Sequence, residues 1–219
     1  MVCNGTGGRR HLIHSPDDPI ALRSMLRREM RLRRRALPGY RRRLAERSLV
    51  RHLRNLPAYR RARRLALYWP ADGEPDVRAI ATDAWSCGKR VYLPVVGRGA
   101  TLEFARWRRG TKLRRNRYGI PEPITSRRRI LASQLELLIV PLVAFDSDGN
   151  RLGMGAGYYD RALGARRRRP TLVGAAFSFQ QAPAIPAQPW DAPLGVIITE
   201  RGGRRARRRP PPGSKGAEQ

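Results

Sequence analysis

Cysteine, histidine and lysine are all scarce in this 219-residue chain, and each scarcity removes a class of function. With only Cys3 and Cys87 there is neither a disulfide framework nor a Cys-x-x-Cys zinc spacing, so both read as free thiols. His11, His14 and His52 show no ligand spacing, and no Ser/His or Cys/His nucleophile arrangement is legible. No run approaches the roughly 20 apolar residues of a membrane span, and the start lacks the apolar core of a signal peptide. A soluble, cytoplasmic protein is the expectation. Zinc-finger spacing, aromatic-basic ribonucleoprotein strands, basic zippers and internal repeats are not legible either.

The lack of lysine bears on the charge. Only Lys89, Lys112 and Lys215 among 46 basic residues are lysine, and with 17 acidic residues the net charge is +29. A basic surface binds polyanions by releasing their counterions. An arginine excess of this kind is nevertheless what a GC-rich coding genome produces, because most arginine codons are GC-rich. Composition therefore accounts for the charge better than selection for nucleic acid does. Non-specific nucleic-acid binding at low salt is expected either way.

What is present reads as one domain over residues 20–200, between a disordered leader (1–19) and a disordered Arg/Pro/Gly-rich tail (201–219). Residues 20–37 place Leu22, Met25, Leu26 and Met30 at helical spacing until Pro38 and Gly39 intervene. Residues 40–56 repeat the pattern with Tyr40, Leu44, Leu49, Leu53 and Leu56. Strands are expected at 65–69, 91–95, 102–107, 171–177 and 196–199, with a helix at 77–85. Residues 135–145 form a near-continuous apolar run, as in a strand buried on both faces. The alternation predicts a three-layer α/β/α fold with a largely parallel central sheet and two N-terminal helices. In such a sheet a ligand lies outside the carboxyl ends of the strands, where residues 69–74, 146–159 and 177–191 should gather.

The most informative segment is residues 149–160, GNRLGMGAGYYD. Glycines at 153, 155 and 157 let backbone N–H groups turn toward an anion, Arg151 can fork onto phosphate oxygens, and Asp160 could hold an accompanying metal. Neither the dinucleotide fingerprint nor the Walker pattern fits, since Tyr158 stands where the third glycine belongs and Gly-Lys-Ser/Thr is absent. The residues alone leave two readings open, a tight strand-to-helix connection and a phosphate site of unnamed type.

Residues 141–163, PLVAFDSDGNRLGMGAGYYDRAL, resemble the signature of the 5-formyltetrahydrofolate cyclo-ligases, also called 5,10-methenyltetrahydrofolate synthetases. Three further segments agree in order and spacing: LRSMLRREMRLRRRAL (22–37), YWPADGEPD (68–76) and YGIPEP (118–123). The resemblance implies an ATP- and Mg2+-dependent ligase that converts 5-formyltetrahydrofolate to 5,10-methenyltetrahydrofolate with release of ADP and phosphate, and a monomer is expected. It further implies that Arg23, Arg27 and the loop Arg151, Leu152, Gly153, Met154, Gly155, Ala156, Gly157, Tyr158 and Tyr159 bind ATP. Arg151 is then the catalytic cation, and Asp160 and Asp191 bind magnesium. Trp69, Glu74, Tyr118, Met154, Ala156 and Tyr158 are then the folate contacts. Arg23 stands where lysine is more familiar, and Gly195 where an acidic residue often follows the second magnesium position. Two other functions stay in view: a nucleic-acid-binding protein on a retained α/β scaffold, and another ATP-dependent ligase or kinase.

Overall fold

A computed structural model describes residues 18–97, 101–124, 128–164 and 169–207. Cys3, His11, His14 and most of the expected leader and tail lie outside the described residues. The chain opens with helices α1 (Pro19–Ala36), α2 (Gly39–Asn55) and the short α3 (Pro57–Arg61), followed by β1 (Arg64–Ala66) and α4 (Ala79–Ser86). Strands β2 (Arg90–Val96), β3 (Leu102–Trp107), β4 (Leu113–Arg115), β5 (Pro121–Pro123), β6 (Leu137–Pro141), β7 (Ala144–Phe145) and β8 (Arg151–Leu152) come next. Helix α5 (Tyr158–Leu163) then leads to β9 (Thr171–Ala175), β10 (Val196–Thr199) and β11 (Gly202–Arg205).

Local chemistry sets the helix ends. The Asp18 carboxylate caps α1 by accepting from the Ile20 amide at 2.9 Å, and Pro19 occupies a first-turn position where its missing N–H costs nothing. Leu37 is extended ahead of Pro38, which ends the helix.

Seven strands form the main sheet in the order β11-β10-β9-β6-β1-β2-β3. The five inner strands are parallel, while β3 and β11 pair antiparallel at the two edges. Alternation along β6 explains the layers. Leu137 and Ile139 face a core with Leu49, Leu53, Ile80 and Ala84 of α2 and α4, whereas Leu138 and Val140 face Phe104, Leu135, Leu163 and Leu194 on the other side. Both faces are apolar and both are covered, the environment that a parallel sheet requires.

The structure corrects several expectations. Met25, Tyr40 and Leu44 are exposed, although their spacing suggested an inward face. The packed side of α1 carries Met30, as expected, and also the fully buried Arg34, because this helix lies over the polar carboxyl end of the sheet and not over its apolar face. The expected disordered tail begins too early: Gly202–Arg205 pairs with Val196–Thr199, since a hairpin after β10 offers its backbone a ladder. The apolar run 135–145 is two elements, because Pro141 closes β6 and the chain turns into the β7–β8 hairpin.

After β1 the chain moves to β2 on one side, and after β6 it moves to β9 and β10 on the other. The carboxyl ends of β1 and β6 therefore flank the switch point where such sheets hold ligands.

Leu53 is fully buried between α2 and the sheet. Leu53→Ala should lower the unfolding free energy by about 2 to 5 kcal/mol, and urea denaturation measures it.

Candidate active site

The loops after β1, β6 and β9 meet beneath α1, and the α1 arginines are their common partner. At its N-terminal half, Arg23 Nη1 donates to the Asp191 carboxylate at 3.0 Å and to the Pro186 carbonyl at 2.5 Å, and Arg27 Nε donates to the Gly153 carbonyl at 2.9 Å. Burial, with Arg23 close by, holds the Arg27 guanidinium below its usual basicity, partly offset by Asp191. One and two turns further on, Arg31, Arg34 and Arg35 all reach Asp72 in the loop after β1.

The glycine loop is open. Met154, Gly155 and Ala156 are exposed, and the amides from Gly153 to Gly157 donate to no acceptor among the described residues. Its carbonyls are held: Arg27 takes that of Gly153, and Arg161 Nη2 takes that of Ala156 at 2.7 Å. Gly155 and Gly157 have φ of +104° and +64°, values that a side chain would resist. With the carbonyls occupied and the amides unpaired, the loop offers donors to an anion.

Arg151 lies deeper than phosphate binding alone would suggest. It is 4% exposed, and its Nη2 donates to Asp160 Oδ1 at 2.5 Å while its Nε has no partner. Asp160 Oδ1 also accepts from the Ala192 amide at 3.1 Å, which draws the segment bearing Asp191 against α5. Asp191 Oδ2 accepts from Arg23 and from the Gln188 amide. Each carboxylate thus uses one oxygen, and the other has no partner among the described residues. Among the described residues no cluster of three or more His, Cys, Asp or Glu side chains could hold a metal ion. Two carboxylates with one open oxygen each are still a donor set that suits Mg2+, which commonly takes one or two carboxylates and completes its shell with water and phosphate.

Leu152 turns inward and packs with Met30 and Val143, so its side chain belongs to the core. Tyr159 packs against the apolar layer beside Glu74, and burial raises its phenol pKa. Tyr118, at the tip of the β4–β5 hairpin, reaches the glycine loop: its hydroxyl is 2.6 Å from that of Tyr158, with Arg117 Nη2 donating to the same oxygen at 2.7 Å. Trp69 instead joins a tryptophan cluster, tilted at 5.9 Å from Trp107, with the Arg78 guanidinium 4.6 Å over its ring.

Glu74, in the loop after β1, is buried. The Glu74 amide donates to the Ala71 carbonyl at 2.9 Å, and the Ala71 amide donates to Glu74 Oε2 at 3.0 Å, so the turn fixes its own carboxylate. The two central residues of that turn, Asp72 and Gly73, have φ of +48° and +75°, the signs of a type I′ turn. For Asp72 the left-handed region costs about 1 kcal/mol, which the three arginines offset. Burial pushes the Glu74 carboxyl up to about 7 despite the Ala71 amide and Arg34, which oppose the shift.

Arg31, Arg34, Arg35 and Asp72 were not among the sequence candidates. Two signals pointed to them: basic residues recurring along one helix face at 23, 27, 31 and 34, and an Asp-Gly dipeptide, which marks a left-handed turn.

Two stability outcomes follow. A carboxyl whose folded pKa is raised contributes stability that is complete below its unfolded value, near 4.5, and is lost as pH rises through about 7. The parent protein should therefore lose about 3 kcal/mol across that window relative to Glu74→Gln, as read by urea unfolding at several pH values. Asp160→Ala leaves the buried Arg151 guanidinium without its counter-charge and should destabilise the fold by about 3 kcal/mol, whereas Arg151→Met with Asp160→Ala should recover much of the loss.

The model of the 5-formyltetrahydrofolate cyclo-ligase family matches residues 19–200. The chain is 39% identical over 180 residues to the 5-formyltetrahydrofolate cyclo-ligase of Haemophilus influenzae, covering 80% of this chain and 96% of that one. It is 38% identical over 175 residues to the enzyme of the same name from Escherichia coli, covering 78% and 96%. Among solved structures it is similar to the 5,10-methenyltetrahydrofolate synthetase of Aquifex aeolicus, with a TM-score of 0.75, 35% identity and coverage of 86% and 95%. On these matches, with the family model running from the start of α1 past the end of β10, the chain belongs to the 5-formyltetrahydrofolate cyclo-ligase family.

Proposed function

We propose that this ligase closes 5-formyltetrahydrofolate to 5,10-methenyltetrahydrofolate at the expense of ATP, in the crevice at the carboxyl ends of β1 and β6. The observation that carries the reading is the meeting there of an open glycine loop, two half-occupied carboxylates and a buried glutamate, in a chain of this family.

A formamide oxygen is a poor leaving group. Transfer of the γ-phosphoryl group from ATP to that oxygen makes it a good one. N10 of the folate then attacks the formyl carbon, forming the second C–N bond as the C–O bond breaks, so that phosphate departs and N10 gives up its proton. Phosphoryl transfer needs positioning and charge neutralisation more than a covalent nucleophile, which suits a site built from amides and guanidiniums. The amides of Gly153, Gly155 and Gly157, with Arg23 and Arg27, bind the ATP phosphates. Asp160 and Asp191 would hold Mg2+ through their open oxygens, where it would neutralise phosphate charge. Arg151, held on Asp160, sets that carboxylate and contributes positive charge beneath the phosphates.

Glu74 accepts hydrogen bonds from the pterin amino and ring N–H groups. Tyr118 and Tyr158 close the opposite side, next to Met154 and Ala156. For Trp69 to wall the pterin, the Arg78 guanidinium must share its ring face. The protein acts as a monomer in the cytoplasm; among the described residues no helix is long and apolar enough to cross a membrane.

One observation favours a weak second activity. A groove of about 460 Å3 between α2 and the segment before α4 is lined by Arg43, Arg47, Arg51 and Arg54, with Glu46 and Asp76 among them. It suits non-specific polyanion binding, which the two acids temper. That binding should disappear between low and physiological salt in a filter-binding assay, and persistence would favour a dedicated nucleic-acid role.

Purified protein with ATP, Mg2+ and 5-formyltetrahydrofolate should develop the absorbance of the methenyl product, and folded protein that fails to do so refutes the reading. Asp160→Asn and Arg151→Ala should each lower turnover by about 100-fold or more, from loss of a charge contact at the transferring group. Glu74→Gln should raise the KM for the folate and remove its dependence on pH between 6 and 8.

A further inference from the structure

Among the described residues Arg34 is the largest side chain withdrawn completely from solvent, and the proposed reaction does not use it. Its Nη1 donates to the Leu142 carbonyl at 3.1 Å, just beyond the end of β6, and its Nη2 to Asp72 Oδ2 at 2.9 Å, in the loop after β1. Those loops leave the sheet at the two strands flanking the switch point, one leading to Glu74 and the other to the glycine loop. Arg42 adds to the same join, with Nη1 donating to the Gly73 carbonyl at 2.7 Å and Nη2 to the Arg34 carbonyl. A fully buried guanidinium bound to one carbonyl and one carboxylate is expensive unless geometry demands it.

We propose that Arg34 is a positioning residue for the folate half of the reaction: by gripping Asp72 and the Leu142 carbonyl together, it fixes the left-handed Asp72–Gly73 turn and so aims the Glu74 carboxylate into the crevice. Asp72 is the handle of this device, since Arg31 and Arg35, both more exposed than Arg34, reinforce the same carboxylate. Arg34 cannot be replaced by lysine here, because one ammonium does not span both acceptors in the guanidinium geometry. The groups facing Glu74 are Arg34 from α1, Asp72 from its own turn, Tyr68 from the segment after β1 and Tyr159 from α5. Arg34 is the one cation among them.

The inference rests on Glu74 as the folate contact, and two measurements separate its failure from failure of that reading. Asp72→Gly keeps the backbone freedom the turn needs and removes only the handle. In steady-state kinetics it should raise the KM for 5-formyltetrahydrofolate about tenfold with the KM for ATP within about twofold. A folate KM within twofold of the parent, or a parallel rise in both, overturns the proposal. In the free protein, 13C NMR of labelled glutamate, with Glu74 assigned from Glu74→Gln, should show its midpoint moving to higher pH in Arg34→Gln. An unmoved midpoint also overturns it. If Arg34→Gln does not fold, Asp72→Gly decides. A parent that binds no folate and turns none over defeats the functional reading, while the NMR titration still decides whether Arg34 governs Glu74.

Discussion

Burial of positive charge is the constraint on which this molecule is organised. Arg34 and Arg151 are withdrawn from water almost completely, and each must find a carboxylate or carbonyl where it lies. Arg34 is answered by Asp72 and Leu142, Arg151 by Asp160, and the less buried Arg23 by Asp191. Asp72 stands on the loop after β1, Asp160 in α5 on the connection from β6 to β9, and Asp191 on the loop after β9. Satisfying the arginines therefore draws the three segments together at one end of the sheet, and the crevice is what remains between them.

The acids of the chain are few, and this accounts for where they are used. With 17 acidic residues against 46 basic ones, most guanidiniums must be left to solvent, and the exposed arginines of α1 and α2 are such cases. The carboxylates that reach the crevice are placed with one oxygen neutralised and one open, or, at Glu74, held by a single amide inside a turn. Such groups are held in position before a ligand arrives. Little reorganisation is then asked of them when phosphate and metal charge enters, which is the condition under which fixed charges contribute most to a reaction.

Helix α1 links the two halves of the site. Residues 23, 27, 31 and 34 fall along one face over eleven residues, so a rigid rod about 16 Å long touches the glycine loop at one end and the Glu74 turn at the other. Its inward stripe is polar because it covers strand ends, where backbone groups and loop carboxylates need donors. Met30, between the two sets of arginines, packs with Val143 and Leu152 and supplies the apolar contact that sets the height of the rod above the sheet.

That arrangement explains which features the sequence revealed and which it concealed. The parallel sheet was legible because burial on both faces forces near-continuous apolar runs at 65–67, 137–140 and 172–175, and the glycine loop because positive φ restricts the residue type at Gly155 and Gly157. Tyr118 was legible only through the family motif, since the hairpin that carries it to Tyr158 has polar, solvated strands without strong alternation. The facing of α1 was concealed by its composition. Periodicity assigns the apolar stripe to the inside, but Met25 is outside and Arg34 is inside, because the surface beneath this helix is a set of loop ends. Hydrophobic patterning reports what a helix packs against only where that partner is apolar. Over a polar crevice the same rule inverts, and Arg34 is found by following the basic spacing of 23, 27, 31 and 34 in place of the apolar one.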